Sequence, residues 1–294
     1  MYTEISFPTF GITVNPPRSF TLGPLNIYFY GLIIAVGLML AVLYCCKRSR
    51  EFGIKTDDIT DGVLWIVPFA ILCARLYYCA FTWNENGYAE NPISILYIWN
   101  GGLAIYGGVI GAVIGVTVFC LFKKIKLPAL LDMVALGFLI GQCIGRWGNF
   151  FNREAFGAET DFFLGMGLKL TASGESASEF HFYHPTFLYE SVWNALGFVL
   201  LHFYSKRRKY DGQVFTLYIA WYGLGRMFIE GMRTDSLYIP GTSIRVSQLL
   251  AAVSFVAASV VLVYVTFFRK HDPADLQVNQ VAAREETAAD QEAE

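Results

Sequence analysis

Charged side chains are scarce in this sequence. Only 16% of its 294 residues are charged and 55% are hydrophobic, whereas a soluble domain carries roughly a quarter charged residues. This scarcity excludes an ordinary soluble domain and indicates a membrane protein. The formal net charge is −2, so the sequence lacks the basic excess that binds nucleic acid, and we expect no nucleic-acid partner.

Metal-binding cysteine patterns are also missing. The sequence contains neither a C-x-x-C pair nor a Cys/His spacing typical of a metal site. All six cysteines lie inside or at the edges of apolar runs. We therefore interpret them as small, polarizable packing residues of helices, and we expect no metal site.

Long apolar runs, by contrast, are abundant. Seven of them approach the ~20 residues that a helix needs to cross a bilayer, at 25–46, 60–81, 101–122, 127–147, 186–204, 213–231 and 246–268. We predict an all-α polytopic membrane protein with about seven transmembrane helices. The first twenty residues contain Glu4, three prolines and no uninterrupted apolar core, so we expect the first span to act as an uncleaved signal.

The charges of the loops orient these spans. Lysine and arginine collect after the first, third, fifth and seventh runs, whereas the loop at 82–100 contains neither. Because basic loops stay in the cytoplasm, the N-terminus is predicted outside and the C-terminus inside. The outward segment 148–185 is predicted to form an extracytoplasmic arm over the membrane surface. We expect residues 1–268 to form a single membrane domain and 269–294 to form a disordered cytoplasmic tail.

Glycines recur at every fourth position in two of the runs. They are Gly107, Gly111 and Gly115 in the third run, and Gly137, Gly141 and Gly145 in the fourth. This small-xxx-small spacing lets two helix backbones approach closely, so we predict close helix packing at both rows.

Ionisable residues lie inside the apolar runs, where each costs about 2.5–3.5 kcal/mol on insertion scales and by default indicates function. A spacing of four, four and three residues places one group of polar side chains on a single helical face of the sixth run: Tyr222, Arg226, Glu230 and Arg233. Near the end of the fourth run, Arg146 and Asn149 share a face, and Asn152 and Glu154 follow.

The predicted orientation puts both groups near the outer ends of their helices. The arginines Arg146, Arg226 and Arg233 are therefore expected to meet at one depth, near the carboxylates of Glu154, Glu190 and Glu230. One interpretation is a structural ion pair between Arg226 and Glu230 at i,i+4 spacing. The other is a phosphate site for an outer-leaflet phospholipid headgroup, because the planar guanidinium matches phosphate geometry and stays charged.

Tyrosines lie at the same ends of the predicted helices. Tyr30 begins the first span, Tyr106 begins the third, and "HPTFLYE" brings His184 and Tyr189 to the start of the fifth. A single tyrosine at such a position is typical of the aromatic belt at a membrane surface. Their position beside arginines makes Tyr30 and Tyr106 candidate site residues.

Four segments together resemble one protein family. "GRWGNFFNRE" followed by Gly157, "GGLAIYGGVIG", "HPTFLYE" and "YGLGRMFIEGMR" look like the prolipoprotein diacylglyceryl transferases of bacteria, over about Ser19 to Phe268. The resemblance implies transfer of the diacylglyceryl group of phosphatidylglycerol to the lipobox cysteine of a prolipoprotein signal peptide. A thioether forms and glycerol phosphate is released, without a metal or cofactor. The implied location is the bacterial inner (cytoplasmic) membrane, with the active site toward the outer leaflet.

The resemblance also implies roles for individual residues. Arg146 matches the family's phosphatidylglycerol-binding arginine and Arg226 its second essential arginine. The hypothesis is that these two hold the phosphate, that Glu230 orients an arginine, and that Tyr30 or Tyr106 donates hydrogen bonds. The remaining residues that we expect to contact phosphatidylglycerol are Asn149, Asn152, Glu154, Gly157, Tyr222, Arg233 and Glu190.

The sequence departs from the family pattern at Tyr106. Many members have a histidine there, proposed as the base that activates the thiol. Tyrosine, with a pKa of about 10 in model peptides, is a poor base at neutral pH, so no base is assigned. Two other functions stay open on the residues alone, an anion or lipid transporter and a structural scaffold, although the sequence shows no internal repeat of the kind common in transporters.

Overall fold

The fold is mostly helical, with a small β-structure that the all-α prediction lacks. We describe a computed structural model over residues 2–23, 25–84, 87–98, 101–170 and 179–293. Within these ranges the chain forms eight α-helices and six short strands. The prediction of an entirely α-helical protein is therefore wrong in this respect.

All seven apolar runs form helices, as predicted. Their bounds are α1 Phe29–Arg48, α2 Thr56–Phe81, α3 Ile105–Lys123, α4 Leu127–Asn152, α5 Thr186–Ser205, α6 Gln213–Met232 and α7 Val246–Phe268. Pro68 lies inside α2 without ending it. Five of them, α1 to α4 and α7, are long and apolar enough to cross a membrane, which makes this a polytopic membrane protein. Helices α5 and α6 have 20 residues each but more polar side chains.

The segment predicted as a disordered tail contains an eighth helix, α8, over Gln277–Ala293. Gln277 at its start is buried. Its amide donates to the carbonyl oxygen of Gly53 at 3.4 Å, and its side-chain oxygen accepts from the backbone N–H of Lys126 at 3.3 Å. The beginning of α8 is therefore fixed to the loops beside it.

The β-structure combines the N-terminus with the predicted arm. Strands β1 Tyr2–Phe7 and β2 Ile12–Val14 join β5 Met166–Leu170 and β6 His181–Tyr183 in an antiparallel sheet of order β2-β1-β5-β6. A separate hairpin, β3 Ser19–Leu22 with β4 Leu25–Tyr28, leads into α1. The sheet has a small core made of Ile5, Met166, Leu168 and Phe187. Because Phe187 belongs to α5, this core fixes the sheet to the start of that helix.

The chain divides into two compact units. One contains the residues up to Tyr44 together with Val134–His271, and the other contains Cys45–Met133 with the residues from Asp272 onward. The first unit thus holds the sheet, α5, α6, α7 and most of α1 and α4. The second holds α2, α3 and α8.

The two predicted glycine rows each face a different neighbour. A Cβ on Gly111 of α3 would lie 2.5 Å from the Cβ of Cys73 in α2, and one on Gly107 would lie 2.5 Å from the Cys73 carbonyl oxygen. In the first unit, a Cβ on Gly145 of α4 would lie 3.1 Å from Ile34 of α1. Close packing is therefore confirmed for the row of α3 on α2, whereas in α4 it is seen at Gly145 but not at Gly141, where a Cβ would meet nothing within 4 Å.

Candidate active site

A single carboxylate joins three helices in the first unit. Glu190 of α5 lies 2.5 Å from Nη2 of Arg146 in α4, measured from its Oε1. Its Oε2 accepts a hydrogen bond from Nη1 of Arg226 in α6 at 3.0 Å. The two arginines predicted to meet therefore do meet, and Glu190 holds them together.

The ion pairs continue along α6. Nη2 of Arg226 lies 2.5 Å from Oε2 of Glu230, one turn further on, and Nε of Arg233 lies 4.0 Å from the same oxygen. Arg233 then donates two hydrogen bonds to Asp235, at 2.9 and 2.8 Å. The Arg226–Glu230 ion pair expected from the i,i+4 spacing is confirmed. The result is a row of alternating charges whose formal sum is zero, in the order Arg146, Glu190, Arg226, Glu230, Arg233, Asp235.

Two carboxylates of this row, Glu190 and Glu230, are more deeply buried than the first arginine, whereas Asp235 at its end is 49% exposed. The side chains of Glu190 and Glu230 are each 3% exposed, whereas Arg146 is 21% exposed. Buried carboxylates of this kind persist only when they are paired, because an uncompensated charge in a low-dielectric interior is costly. In the part of the chain that the structure describes, Arg146 pairs only with Glu190. Its Nε and Nη1 groups are therefore available to a ligand.

A reciprocal tryptophan pair fixes α5 against α6. The indole Nε1 of Trp193 donates to the carbonyl oxygen of Trp221 at 2.9 Å, and Nε1 of Trp221 donates to the carbonyl oxygen of Trp193 at 3.0 Å. The rings stack with centroids 4.3 Å apart. Glycine is required beside each ring, since a Cβ on Gly225 would lie 2.2 Å from Nε1 of Trp193. This contact sets the register that brings Glu190 to Arg226.

Helix α4 is fixed to α5 one residue beyond Glu190. Ser191 donates from Oγ to the carbonyl oxygen of Cys143 at 2.8 Å. Its hydroxyl also accepts from Nε1 of Trp147 at 3.2 Å. Because Cys143 and Trp147 flank Arg146 on α4, these bonds hold the Arg146–Glu190 contact in place.

A backbone segment from the predicted arm passes between the start of α5 and the end of α6. The N–H of Gly157 donates to the His184 carbonyl oxygen at 2.9 Å, and that of Ala158 to the Met232 carbonyl oxygen at 2.8 Å. Gly157 also forms a β-bridge with Arg233. A Cβ on Gly157 would lie 2.7 Å from that of His184, which explains why this position needs glycine.

The polar residues at the end of α4 form their own cluster. The amides of Asn149 and Asn152 both donate to Oε1 of Glu154, at 3.2 and 3.1 Å. Glu154 therefore orients two amides. Tyr30 of α1 packs against the same helix end, since a Cβ on Gly148 would lie 2.7 Å from its ring.

Two predicted tyrosines have other neighbours. The rings of Tyr222 and Tyr218 stack with their centroids 6.0 Å apart. Tyr222 lies one helical turn before Arg226. Tyr106 belongs to the other unit, where its side chain is 64% exposed and its ring centroid lies 6.4 Å from that of Tyr77. A hydrogen bond of 3.2 Å joins Nδ1 of His184 and the hydroxyl of Tyr189.

Sequence reasoning missed two residues that complete the row. Asp235 follows Arg233 by two positions, so its closeness in sequence was an available signal. The hydrogen bond from Arg233 holds the pKa of the Asp235 carboxyl below its usual value. Arg245, just before α7, donates to the carbonyl oxygen of Glu230 and, at 3.2 Å, to the hydroxyl of Tyr238. Only the packing of α7 on α6 brings it there.

Metal ligands do not gather anywhere in the described ranges: no group of three or more His, Cys, Asp or Glu side chains is placed to hold a metal ion. The row of charges offers guanidinium and carboxylate groups, and the amides of Asn149 and Asn152 lie at the end of α4. Such a set can bind an anion and stabilise charge on a departing oxygen.

Comparison with known proteins identifies the family. A family profile described as prolipoprotein diacylglyceryl transferase matches residues 17–264. The chain is 42% identical over 251 residues to the phosphatidylglycerol–prolipoprotein diacylglyceryl transferase of Limosilactobacillus reuteri, covering 84% of this chain and 90% of that protein. It is 44% identical over 249 residues to the enzyme of that name from Enterococcus faecalis, and the match covers 83% of this chain and 88% of that protein. It is 40% identical over 256 residues to the enzyme of that name from Bacillus velezensis, and the match covers 86% of this chain and 93% of that protein.

The matched region contains every element of the row of charges, from α4 to the start of α7. The resemblance expected from the four sequence segments is thus confirmed at the level of the whole membrane part. The chain belongs to the prolipoprotein diacylglyceryl transferase family.

Proposed function

We propose that this chain transfers the diacylglyceryl group of phosphatidylglycerol to the thiol of the lipobox cysteine of a prolipoprotein. The single observation that supports this mechanism most directly is the Glu190 bridge between Arg146 and Arg226. Two guanidinium groups from separate apolar helices meet there on one carboxylate. A site of this kind suits a lipid phosphate, because guanidinium forms charge-assisted, often bidentate bonds with phosphate oxygens.

Arg146 is the residue best placed to receive the phosphate. It is the more exposed of the two arginines, and Glu190 uses only its Nη2 group. Arg226 is occupied on both sides, since Nη1 bonds Glu190 and Nη2 approaches Glu230. Glu190 and Glu230 therefore orient Arg226, while Arg146 offers its remaining N–H groups to the lipid.

The transfer exchanges one bond for another at a glyceryl carbon. The sulfur forms a C–S bond while the C–O bond to phosphate breaks, and in the overall balance the thiol proton leaves with the released phosphate. The bonding electrons leave with the phosphate oxygen, and glycerol phosphate is released. Fixed guanidinium groups in a water-poor site stabilise this growing negative charge without reorganisation. Nearby cationic groups also favour the thiolate over the thiol.

The other predicted residues are assigned supporting roles. Asn149, Asn152 and Gly157 contribute to headgroup binding at the outer end of α4, with Glu154 orienting the two amides. Tyr222 and Arg233 extend the binding region along α6. Tyr30 and Tyr106 act as hydrogen-bond donors.

The proposed setting is the bacterial inner (cytoplasmic) membrane. We infer that α5 and α6 also span it, since 20 residues at 1.5 Å each equal about 30 Å, the thickness of the hydrocarbon core. This gives seven spans, with the N-terminus outside, the C-terminus in the cytoplasm and the row of charges toward the outer leaflet. Residues 1–268 then constitute the catalytic membrane domain, and 269–294 form its cytoplasmic tail.

The experiment is a direct transfer assay. The purified protein is incubated with phosphatidylglycerol and a lipobox peptide, and the peptide is examined for the mass of an added diacylglyceryl group. We expect the modified peptide with the unsubstituted protein and none with Arg146→Ala. Movement of lipid without covalent change to the peptide would favour the transporter alternative. Normal transfer by Arg146→Ala would remove Arg146 from the phosphate-binding role.

A further inference from the structure

An arginine at the start of α7 reaches back to the end of α6. Arg245 directly precedes α7, and its Nη1 group donates a hydrogen bond to the backbone carbonyl oxygen of Glu230. The same oxygen accepts a hydrogen bond from the backbone N–H of Arg233 at 3.2 Å. Glu230 therefore joins the row of charges through its carboxylate and is bonded to the start of α7 through its backbone.

This bond provides a partner for a carbonyl group at a helix end. The last four carbonyl oxygens of an α-helix lack an intrahelical partner. Because α6 ends at Met232, the carbonyl oxygen of Glu230 is one of them. A guanidinium group suits this position, since it donates to the oxygen and its positive charge interacts favourably with the negative end of the helix dipole. Arg245 is therefore a cap of α6 that the next helix supplies.

The connection between α6 and α7 holds Arg245 in this direction. Arg245 forms a β-bridge with Tyr238, and the N–H of Val246 donates to the carbonyl oxygen of Leu237 at 2.9 Å. Nε of Arg245 donates to the hydroxyl of Tyr238 at 3.2 Å. Its guanidinium carbon lies 5.7 Å from the centre of the same ring, within the range in which an aromatic face attracts a cation. Tyr238 and the end of α6 thus hold the guanidinium group between them.

A second side chain of α7 makes a comparable bond to α6. The amide Nε2 of Gln248 donates to the carbonyl oxygen of Met227 at 3.0 Å, and Met227 is not part of the row of charges. Both bonds join a side chain near the start of α7 to a backbone carbonyl oxygen of α6. Only the bond from Arg245 ends at a residue whose side chain pairs with Arg226. The two bonds therefore form a matched pair for experiment.

We propose that Arg245 is a positioning residue for the transfer reaction, which acts through Glu230 on Arg226. The inference rests on the proposed function, in which fixed guanidinium groups stabilise the charge on the departing phosphate oxygen. By fixing the backbone of Glu230, Arg245 keeps the Glu230 carboxylate 2.5 Å from Nη2 of Arg226.

This role predicts a particular kinetic effect. Arg245 contacts neither lipid nor peptide in it, and Arg146 still receives the phosphate when Arg245 is replaced. The interaction that weakens is made in the transition state, so the loss of Arg245 should lower kcat and leave the KM for phosphatidylglycerol nearly unchanged.

The first test compares Arg245→Met with Gln248→Met in the transfer assay. Each substitution removes one bond between α7 and α6 and keeps an unbranched side chain. Because small misplacements of an active-site group are costly, we expect Arg245→Met to lower kcat by about tenfold or more and Gln248→Met by less than about twofold. Thermal unfolding of both variants measures how much each bond stabilises the helix pair.

The second test asks whether the effect passes through Arg226. It repeats Arg245→Met in the Arg226→Lys background, where the forked group that Glu230 orients is absent. Since residues that act through one another are not additive, Arg245→Met should change kcat there by less than about twofold.

A conservative variant gives a third test. Lysine retains the charge and can donate to one carbonyl oxygen, but it lacks the second arm that bonds Tyr238. We expect Arg245→Lys to have a kcat between those of Arg245→Met and the unsubstituted protein. If Arg245→Met does not yield folded protein, Tyr238→Phe replaces it in the first two tests, because it removes only the hydroxyl that orients Arg245. A smaller fall in kcat is then expected.

The outcomes separate the two proposals. Equal falls in kcat for Arg245→Met and Gln248→Met, an undiminished effect in the Arg226→Lys background, or a rise in KM instead of a fall in kcat would show a merely structural cap and overturn the inference. A lysine variant no faster than the methionine variant would do the same. The proposed function would survive these results, because the unsubstituted protein would still modify the peptide. Absence of peptide modification by the unsubstituted protein would overturn both.

Discussion

Trp193 and Trp221 each donate an indole N–H to the backbone carbonyl oxygen of the other, at 2.9 and 3.0 Å. The pair leaves no space for a side chain at Gly225, where a Cβ would lie 2.2 Å from Nε1 of Trp193. The stacked rings therefore act as the spacer between the helix that carries Glu190 and the helix that carries Arg226.

Substitution Gly225→Ala should separate these two helices. Overpacking of this kind costs typically about 1–3 kcal/mol, and the displaced α6 would carry Arg226 away from Glu190. We expect a lower unfolding temperature in detergent and a loss of transfer. Gly141→Ala is the matched control, because a Cβ there meets nothing within 4 Å. Equal behaviour of the two variants would show that the tryptophan spacer does not set the site.

Removal of the Glu190 carboxylate should affect stability as well as activity. Glu190→Gln keeps the size of the side chain but leaves Arg146 and Arg226 without their shared partner. Breaking a buried ion pair on one side costs about 3–5 kcal/mol. The measurement is thermal unfolding together with the transfer assay. A variant that unfolds at the temperature of the unsubstituted protein would argue that Glu190 is a weak partner.

The forked shape of Arg226 should matter more than its charge. Its two terminal nitrogens address Glu190 and Glu230 separately, which a single ammonium group cannot do. We expect Arg226→Lys to lower kcat/KM by about 100-fold, as for the loss of a donor that stabilises the transition state. Arg284→Lys, in the exposed part of α8, should leave the rate unchanged. An Arg226→Lys variant of normal activity would mean that charge alone suffices.

Gly157 should tolerate no side chain. In Gly157→Ala the new methyl group would lie 2.7 Å from the Cβ of His184 and 3.0 Å from the Met232 carbonyl oxygen. The segment would then move away from α6, and its bridge to Arg233 would break. We expect transfer to fall while α1 to α7 remain folded by circular dichroism. Unchanged transfer would show that this segment does not help to hold the headgroup site.

Acid sensitivity should depend in part on Asp235. The hydrogen bond from Arg233 lowers the pKa of this carboxyl in the folded protein. Its contribution to stability is therefore complete above the unfolded pKa of about 3.9, and is lost as pH falls through the lower, folded value. Below about pH 4, the unfolding temperature of Asp235→Asn should therefore fall less with decreasing pH than that of the unsubstituted protein. Parallel curves would contradict this.

The helices could be predicted from the sequence because their signal is local. An apolar run of about 20 residues determines a span by itself, and all seven runs form helices within a few residues of the predicted bounds. The face shared by Arg226, Glu230 and Arg233 follows from helical periodicity alone, so the sequence is sufficient to identify these residues as neighbours.

The β-structure could not be predicted in the same way. Strand β1 pairs with β5, so that Ile5 lies opposite Leu168, and nothing in a three- to six-residue strand specifies a partner so far along the chain. The bridging role of Glu190 was equally hidden. Its sequence neighbourhood shows one carboxylate near a helix start, and only the packing of α5 between α4 and α6 gives that carboxylate two arginines.

The Glu190 bridge also bears on how the chain enters the bilayer during synthesis. Released singly from the translocon, α5 would bring an uncompensated carboxylate into hydrocarbon, at a cost of about 2.5–3.5 kcal/mol on insertion scales. Neither α5 nor α6 is one of the five helices that are long and apolar enough to cross a membrane by themselves. Joined as a hairpin by the short turn at 206–212, the two helices bring Arg226 to Glu190. Biogenesis is therefore expected to hold α5 at the lateral exit until α6 has emerged, so that Glu190 has a cationic partner before it meets lipid.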